Sequence, residues 1–215
     1  ENAYDKGGVG LHRFEDPEDG AAYLYTDFEP FNAHRLFPAF DQPDLKAVYD
    51  LEVIAPDDWV VIGNGRETRW DREDSGGVRR RFSAPFSFST YLFAMIAGPY
   101  HSVRRTIDGV DMGLYCRRSL AKWLDADDLF TITAQGFDFY ADHFAQKYPF
   151  GKYDQIFVPE YNSGAMENVA AVTFNEAYLF RDPPTETEFA NLVVKAAGLA
   201  DVDLQRGVLA WLSWV

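Results

Sequence analysis

A single carboxylate, Glu167, stands in the stretch YNSGAMENVAAVTFNE (residues 161–176), with Gly164, Ala165 and Met166 before it and Asn168 after it. An acid among such small, uncharged neighbours suits one kind of chemistry. At a strand end it can hold a ligand's ammonium group, while Gly164 and Ala165 offer main-chain hydrogen bonds to an extended peptide. The same residues also spell a plain turn whose Glu points to water, as isolated loop acids ordinarily do. Chemistry alone leaves both open. Asp41 and Asp44 around Pro43 offer an acid–base pair, or caps for a turn. The run Asp125-Ala126-Asp127-Asp128 offers a cation its oxygens, yet acids placed before a helix complement its dipole. Cys116, beside Arg117 and Arg118, reads as a buried structural thiol. Of His12, His34, His101 and His143 no two are four apart, and no G-x-S-x-G accompanies them for a nucleophilic serine.

Strands must position the first part of this inventory. YDLEV (49–53) alternates Tyr49, Leu51 and Val53 with Asp50 and Glu52, the period of a half-buried strand. WVVIGNGRETRWD (59–71) places two β-rich runs around Gly63-Asn64-Gly65 and predicts a hairpin. STYLFAMIAG (89–98) is apolar almost throughout and predicts one fully buried strand. Arg79, Arg80 and Arg81 read as the solvated face of a short strand. Turn residues recur at short intervals, which is the texture of an antiparallel β-sandwich.

The texture then changes. Phe130, Ala134, Phe137, Ala141 and Phe144 recur at three- and four-residue steps, so one amphipathic helix is expected between Asp127 and Gln146, with His143 on its polar side. Tyr148-Pro149-Phe150-Gly151 ends it. DQIFVPE (154–160) and AVTFNEAYLF (171–180) read as strands. A second helix should open where Thr185 and Glu188 form a capping box. The boundary is placed at about residue 110. Residues 1–110 form a β-sandwich domain expected to lack its first strands, and 111–215 begin a second domain.

Composition narrows the function classes. The chain has 215 residues, 47% hydrophobic and 25% charged, as in an ordinary soluble globular protein. A net charge of −14 leaves no basic stripe to neutralise phosphates, so no nucleic-acid partner is expected. One cysteine permits no internal disulfide, which suits a reducing, cytoplasmic location. No run reaches the ~18 apolar residues of a membrane span. With no initiator Met and no signal pattern, the chain is expected to begin partway through a longer protein.

GAMEN followed by TFNEAYLF resembles the exopeptidase motif of the aminopeptidase N family of zinc metallopeptidases, the gluzincin aminopeptidases. Upstream, YLYTDFEPFNAHRLFPAFDQPDLKAVYDLEV resembles that family's N-terminal β-domain, and YPFGKYDQIFVPEYNSGAMENVAAVTF continues it in order. The resemblance runs from about Ala22 to Val194. It implies a β-rich sandwich domain followed by the start of an α+β, thermolysin-like catalytic domain. It also implies a whole enzyme that removes single residues from peptides with a free N-terminus. On this resemblance Glu167 binds the substrate's α-amine, and Gly164 and Ala165 line up its backbone. Met166 packs against the cleft or in the core, and Asn168 fixes the loop. Glu29 lines the same amine subsite, Asp27 stands where some members carry Gln, and Asn32 through Gln42 are structural.

The family also requires zinc, held by H-E-x-x-H on a helix about thirty residues beyond the motif, with the intervening Glu as general base. After FANLVV this chain instead reads KAAGLADVDLQRGVLAWLSWV. No catalytic or metal-binding residue is therefore assigned, the chain alone is expected to be inactive, and no zinc is expected on it. Two accounts of the tail are carried forward. The sequence is truncated or frame-shifted after Val194, or the fold has become a non-catalytic, β-rich peptide-binding or interaction module.

Overall fold

Residues 4–181 are described by the structure, a computed structural model. Four strands come first in the chain: β1 (Gly10–Glu15), β2 (Ala22–Asp27), β3 (Ala47–Ala55) and β4 (Val60–Gly63). They are followed by β5 (Arg66–Arg72), β6 (Val78–Phe88), β7 (Met95–Gly98) and β8 (His101–Ile107). After β9 (Val110–Cys116) comes helix α1 (Ala126–Phe144), then β10 (Lys152–Val158), β11 (Ala165–Met166) and β12 (Ala171–Asn175).

Three sheets result. β1-β2-β7-β4 and β3-β6-β5 are antiparallel and make the β-rich N-terminal domain. In β3 the alternation is as expected: Tyr49, Leu51 and Val53 are half-buried while Asp50 and Glu52 face water. Arg79, Arg80 and Arg81 on β6 lie opposite acids, pairing with Glu52, Glu73, Glu67 and Asp71. The third sheet is mixed, in the order β11-β12-β10-β9-β8, with β9, β10 and β12 parallel. Parallel neighbours need a crossover, and α1 supplies it between β9 and β10.

Helix α1 begins as its acids dictate. The Asp125 carboxylate accepts the Asp128 amide hydrogen at 3.2 Å, and Asp127 and Asp128 occupy the first turn. Leu129 and Phe130 are buried, Ala134, Phe137, Ala141 and Phe144 are half-buried, and His143 is exposed. The second helix expected from Thr185 lies outside the described residues.

Three local expectations are corrected. AVTFNEAYLF is a strand only as far as Asn175, where the Asn175 side chain accepts the Ala177 amide hydrogen and Glu176–Tyr178 turns as a 3-10 helix. Gly63-Asn64-Gly65 does not turn a hairpin, because β4 pairs with β7 and β5 pairs with β6 in a different sheet. The segment carries the chain from one sheet to the other. Gly65 is needed for close approach: a Cβ there would lie 2.1 Å from the Ser83 carbonyl oxygen. STYLFAMIAG is not one strand either. Thr90–Leu92 is a 3-10 turn and only Met95–Gly98 is extended, although nearly all of the run is buried.

A break at residue 110 falls at the turn between β8 and β9, which pair from His101↔Cys116 to Ile107↔Val110. The change of sheet instead comes between Gly98 and His101. The main core is common to both sides of it. Tyr23, Tyr25, Phe28, Ile62, Phe93 and Ile96 share one cluster with Ile156, Val158, Tyr161, Met166 and Val169. No helix among the described residues is long and apolar enough to cross a membrane.

Candidate functional site

The loop between β10 and β12 is fastened at both ends, and so Glu167 is held in a fixed place. On the entry side the Asn175 side chain donates to the carbonyls of Tyr161 (2.9 Å) and Ser163 (3.3 Å), and its main-chain N–H donates to Gly164 O at 2.9 Å. Ala165 and Met166 then form strand β11, opposite Phe174 and Thr173 of β12. β11 is an edge strand of this sheet, as β8 is at the opposite side, so its outer side is open to a further strand among the described residues. Gly164 and Ala165 are half-exposed there.

Met166 lies in the main core and is 2% exposed. Asn168 is also buried; its side chain donates to Thr173 Oγ1 at 3.3 Å, and Thr173 donates to the Tyr161 hydroxyl at 3.1 Å. Between these anchored neighbours Glu167 alone faces outward.

Glu167 has acidic company. Its pKa is raised, chiefly because protein surrounds the carboxyl and secondarily because Glu29 repels it. The residue is nevertheless exposed at the surface. Asp27, at the end of β2, is pushed up to about 6 by burial and by Glu29, although the Glu29 amide N–H partly offsets this. Tyr91 feels both Glu167 and Glu29, and Tyr161 feels both Asp27 and Glu167. Glu167 therefore lies within electrostatic reach of both tyrosines, Glu29 of Tyr91 and Asp27 of Tyr161, although Glu167 is more than a hundred residues from the other two acids. A partly dry place with surplus negative charge and no basic partner at Glu167, Glu29 or Asp27 among the described ion pairs is made for a cation.

Asp27 gives this arrangement a pH signature. Its folded pKa of about 6 exceeds the ordinary carboxylate value of 3.8, so ionisation opposes folding. Its contribution is fully favourable below pH 3.8 and is lost as the pH rises through 6. Asp27→Asn is expected to raise the melting temperature above pH 6 and leave it nearly unchanged at pH 4. The gain is up to roughly 3 kcal/mol before solvent screening reduces it. An equal effect at both pH values, read from melting curves, would place the acid in open water.

The remaining candidates are structural. Asp41 accepts from the His34 amide (3.0 Å), the His34 ring (2.9 Å) and Thr90 Oγ1 (2.7 Å), and so closes a loop. Asp44 instead gives its main-chain carbonyl to the Lys46 amide hydrogen at 3.2 Å. Cys116 is fully buried and its thiol is pushed up to about 12 by that burial. Among the described residues no group of three or more His, Cys, Asp or Glu lies close enough to hold a metal ion. The described donors therefore do not fit zinc. Tyr91, Tyr161 and Asn64 were not singled out from the sequence. Tyr161 opens the motif stretch itself and Asn64 stands in the Gly63-Asn64-Gly65 turn signal, but nothing local gives Tyr91 or Asn64 a part in the site.

Residues 4–92 match the Peptidase M1 N-terminal domain, and residues 129–196 match the Peptidase family M1 domain. The chain is 46% identical over 196 residues to an aminopeptidase N of Streptomyces lividans, covering 87% of this chain and 22% of the relative. It is 33% identical over 178 residues to a glutamyl aminopeptidase of Rattus norvegicus, covering 81% and 19%. A third relative, an aminopeptidase N of Acetobacter pasteurianus, is 32% identical over 165 residues, covering 76% and 46%. The chain thus spans about a fifth of the length of the first two.

Proposed function

Because the chain belongs to peptidase family M1, we propose that it forms the amine-recognising part of an aminopeptidase, in which Glu167 holds the free N-terminus of a peptide. The observation that carries this reading is that Glu29 acts on both Glu167 and Asp27, with Glu167 the residue after the edge strand β11. A protonated α-amine placed there gains a charge-assisted contact. It also offsets the burial, and the lesser repulsion from Glu29, that hold the Glu167 and Asp27 pKa values up. The peptide continues along Gly164 and Ala165 as an added strand. An internal peptide bond has no ammonium to offer, and that restricts the site to chain ends. The described residues bind and orient; the hydrolytic step and the family's zinc are assigned to none of them.

The test is a chain completed, before Glu1 and after Val194, with the corresponding parts of the Streptomyces lividans relative. It should hydrolyse aminoacyl anilides and leave their N-acetylated counterparts untouched. Equal turnover of both would remove the amine from the reading. Peptide binding without turnover in a chain that retains zinc would favour the non-catalytic module.

A further inference from the structure

Asn64 lies in the crossing between β4 and β5, far in sequence from the amine site, yet its side chain is 4% exposed and fully used. Its amide donates to Val169 O at 2.8 Å and to Leu92 O at 2.9 Å, and its carbonyl oxygen accepts the Ala94 amide hydrogen at 2.7 Å. Val169 is two residues beyond Glu167, and Leu92 follows Tyr91, the tyrosine that feels both Glu167 and Glu29. One amide group therefore ties together the two walls of the site. The neighbouring bonds extend the tie. Thr26, beside Asp27, donates to Phe93 O at 3.4 Å and accepts from Met95 N at 2.9 Å. The 92–95 segment is thus gripped by Asn64 from one sheet crossing and by Thr26 from the strand that carries Asp27.

We propose that Asn64 is a positioning residue for amine recognition, fixing the distance between the Glu167 loop and the Tyr91–Glu29 wall. This rests on the amine-binding reading above. The geometry supports it because each wall lacks another side-chain bond of this kind to the other among the described residues. Met166, Asn168 and Val169 are all buried, and Asn175 and Thr173 hold the loop to its own sheet, so the Val169 bond to Asn64 is what ties it across to the Leu92 side. A fraction of an ångström there misplaces a carboxylate whose contact with an ammonium is short and directional. Asn64→Asp keeps the acceptor for Ala94 but sets an oxygen against the Leu92 and Val169 carbonyls.

The experiment uses the completed chain and compares an aminoacyl anilide with its α-hydroxy analogue. Asn64→Asp should lower kcat/KM for the amine substrate by about five- to ten-fold, mostly through KM, with the hydroxy analogue little changed. Phe82→Leu, in a separate cluster of the core, serves as a control of comparable thermal loss that leaves the amine-to-hydroxy ratio intact. In a Glu167→Ala background, Asn64→Asp should change that ratio no further, since one residue acts through the other. If Asn64→Asp does not fold, Asn64→Ser, smaller and still polar, takes its place. A ratio that falls equally in Phe82→Leu, or that is unmoved by either Asn64 variant, overturns the proposal while leaving the amine reading standing. A ratio insensitive to Glu167→Ala overturns both.

Discussion

Glu167→Ala in the completed chain is expected to lower kcat/KM for free-amine substrates by one to two orders of magnitude, about 2–3 kcal/mol. That is the size of one lost charge-assisted contact. The loss should fall on amine substrates and spare their α-hydroxy analogues. Glu167→Asp should fall between, because the shorter acid keeps the charge and misplaces it. Glu29→Ala should also cost activity, and the double variant should lose less than the sum, since both acids serve one ammonium. Asp27, with its pKa of about 6, adds a pH dependence of known sign. Below pH 6 it is protonated and contributes no charge, so amine affinity should rise as pH increases through 6. A Glu167→Ala chain that retains its preference for free N-termini would return Glu167 to the solvated turn that the sequence alone also allowed.

That loop was legible for a physical reason. A charged residue flanked by Gly, Ala and Met stands out locally, and both its strand and the next are marked by their own apolar runs. The acids around it were legible only through the family resemblance, because nothing in the sequence near Asp27 or Glu29 says that they meet Glu167. The Asn64 segment shows the opposite case. Two glycines around an asparagine spell a tight turn, but here the asparagine amide finds three buried main-chain partners. Gly65 is required by a close backbone contact and not by a positive φ. Tertiary bonding overrode turn chemistry. The run from Ser89 to Gly98 failed differently: every position is apolar or small, so periodicity had nothing with which to separate a 3-10 turn from a strand. The boundary at about residue 110 followed the change from strand to helix texture. Yet β8 and β9 belong to one hairpin, and the principal core joins both sides of it.

Lys152 is the residue whose replacement should destabilise the fold most. It opens β10, where a lysine in sequence reads as surface, but it is 6% exposed. Its ammonium donates to Gly63 O and Ala170 O, both at 2.9 Å, and pairs with Asp154 Oδ2 at 2.8 Å. All three of its protons are thereby used. Asp154 is 1% exposed, with Arg104 Nη1 and the Tyr115 hydroxyl each at 3.5 Å. Lys152→Met removes the main counter-charge of a buried carboxylate and leaves two buried carbonyls without their donor. Breaking such a pair costs about 3–5 kcal/mol, whereas replacing both members by apolar groups is often nearly neutral. Thermal unfolding of the 215-residue chain should therefore show a drop of roughly 6–20 °C for Lys152→Met. More than half of that should return in Lys152→Met/Asp154→Leu. A pH scan supplies the second reading. Burial outweighs the attraction of Asp154 and holds the Lys152 pKa below its ordinary 10.5. The unfolded chain then binds more protons than the folded one just below pH 10.5, so this lysine's contribution to stability increases with pH in that window. The increase should vanish in Lys152→Met. A melting temperature within about 2 °C of the parent would mean that the ammonium is not the tie between the Gly63 crossing and the Ala170 end of the motif loop.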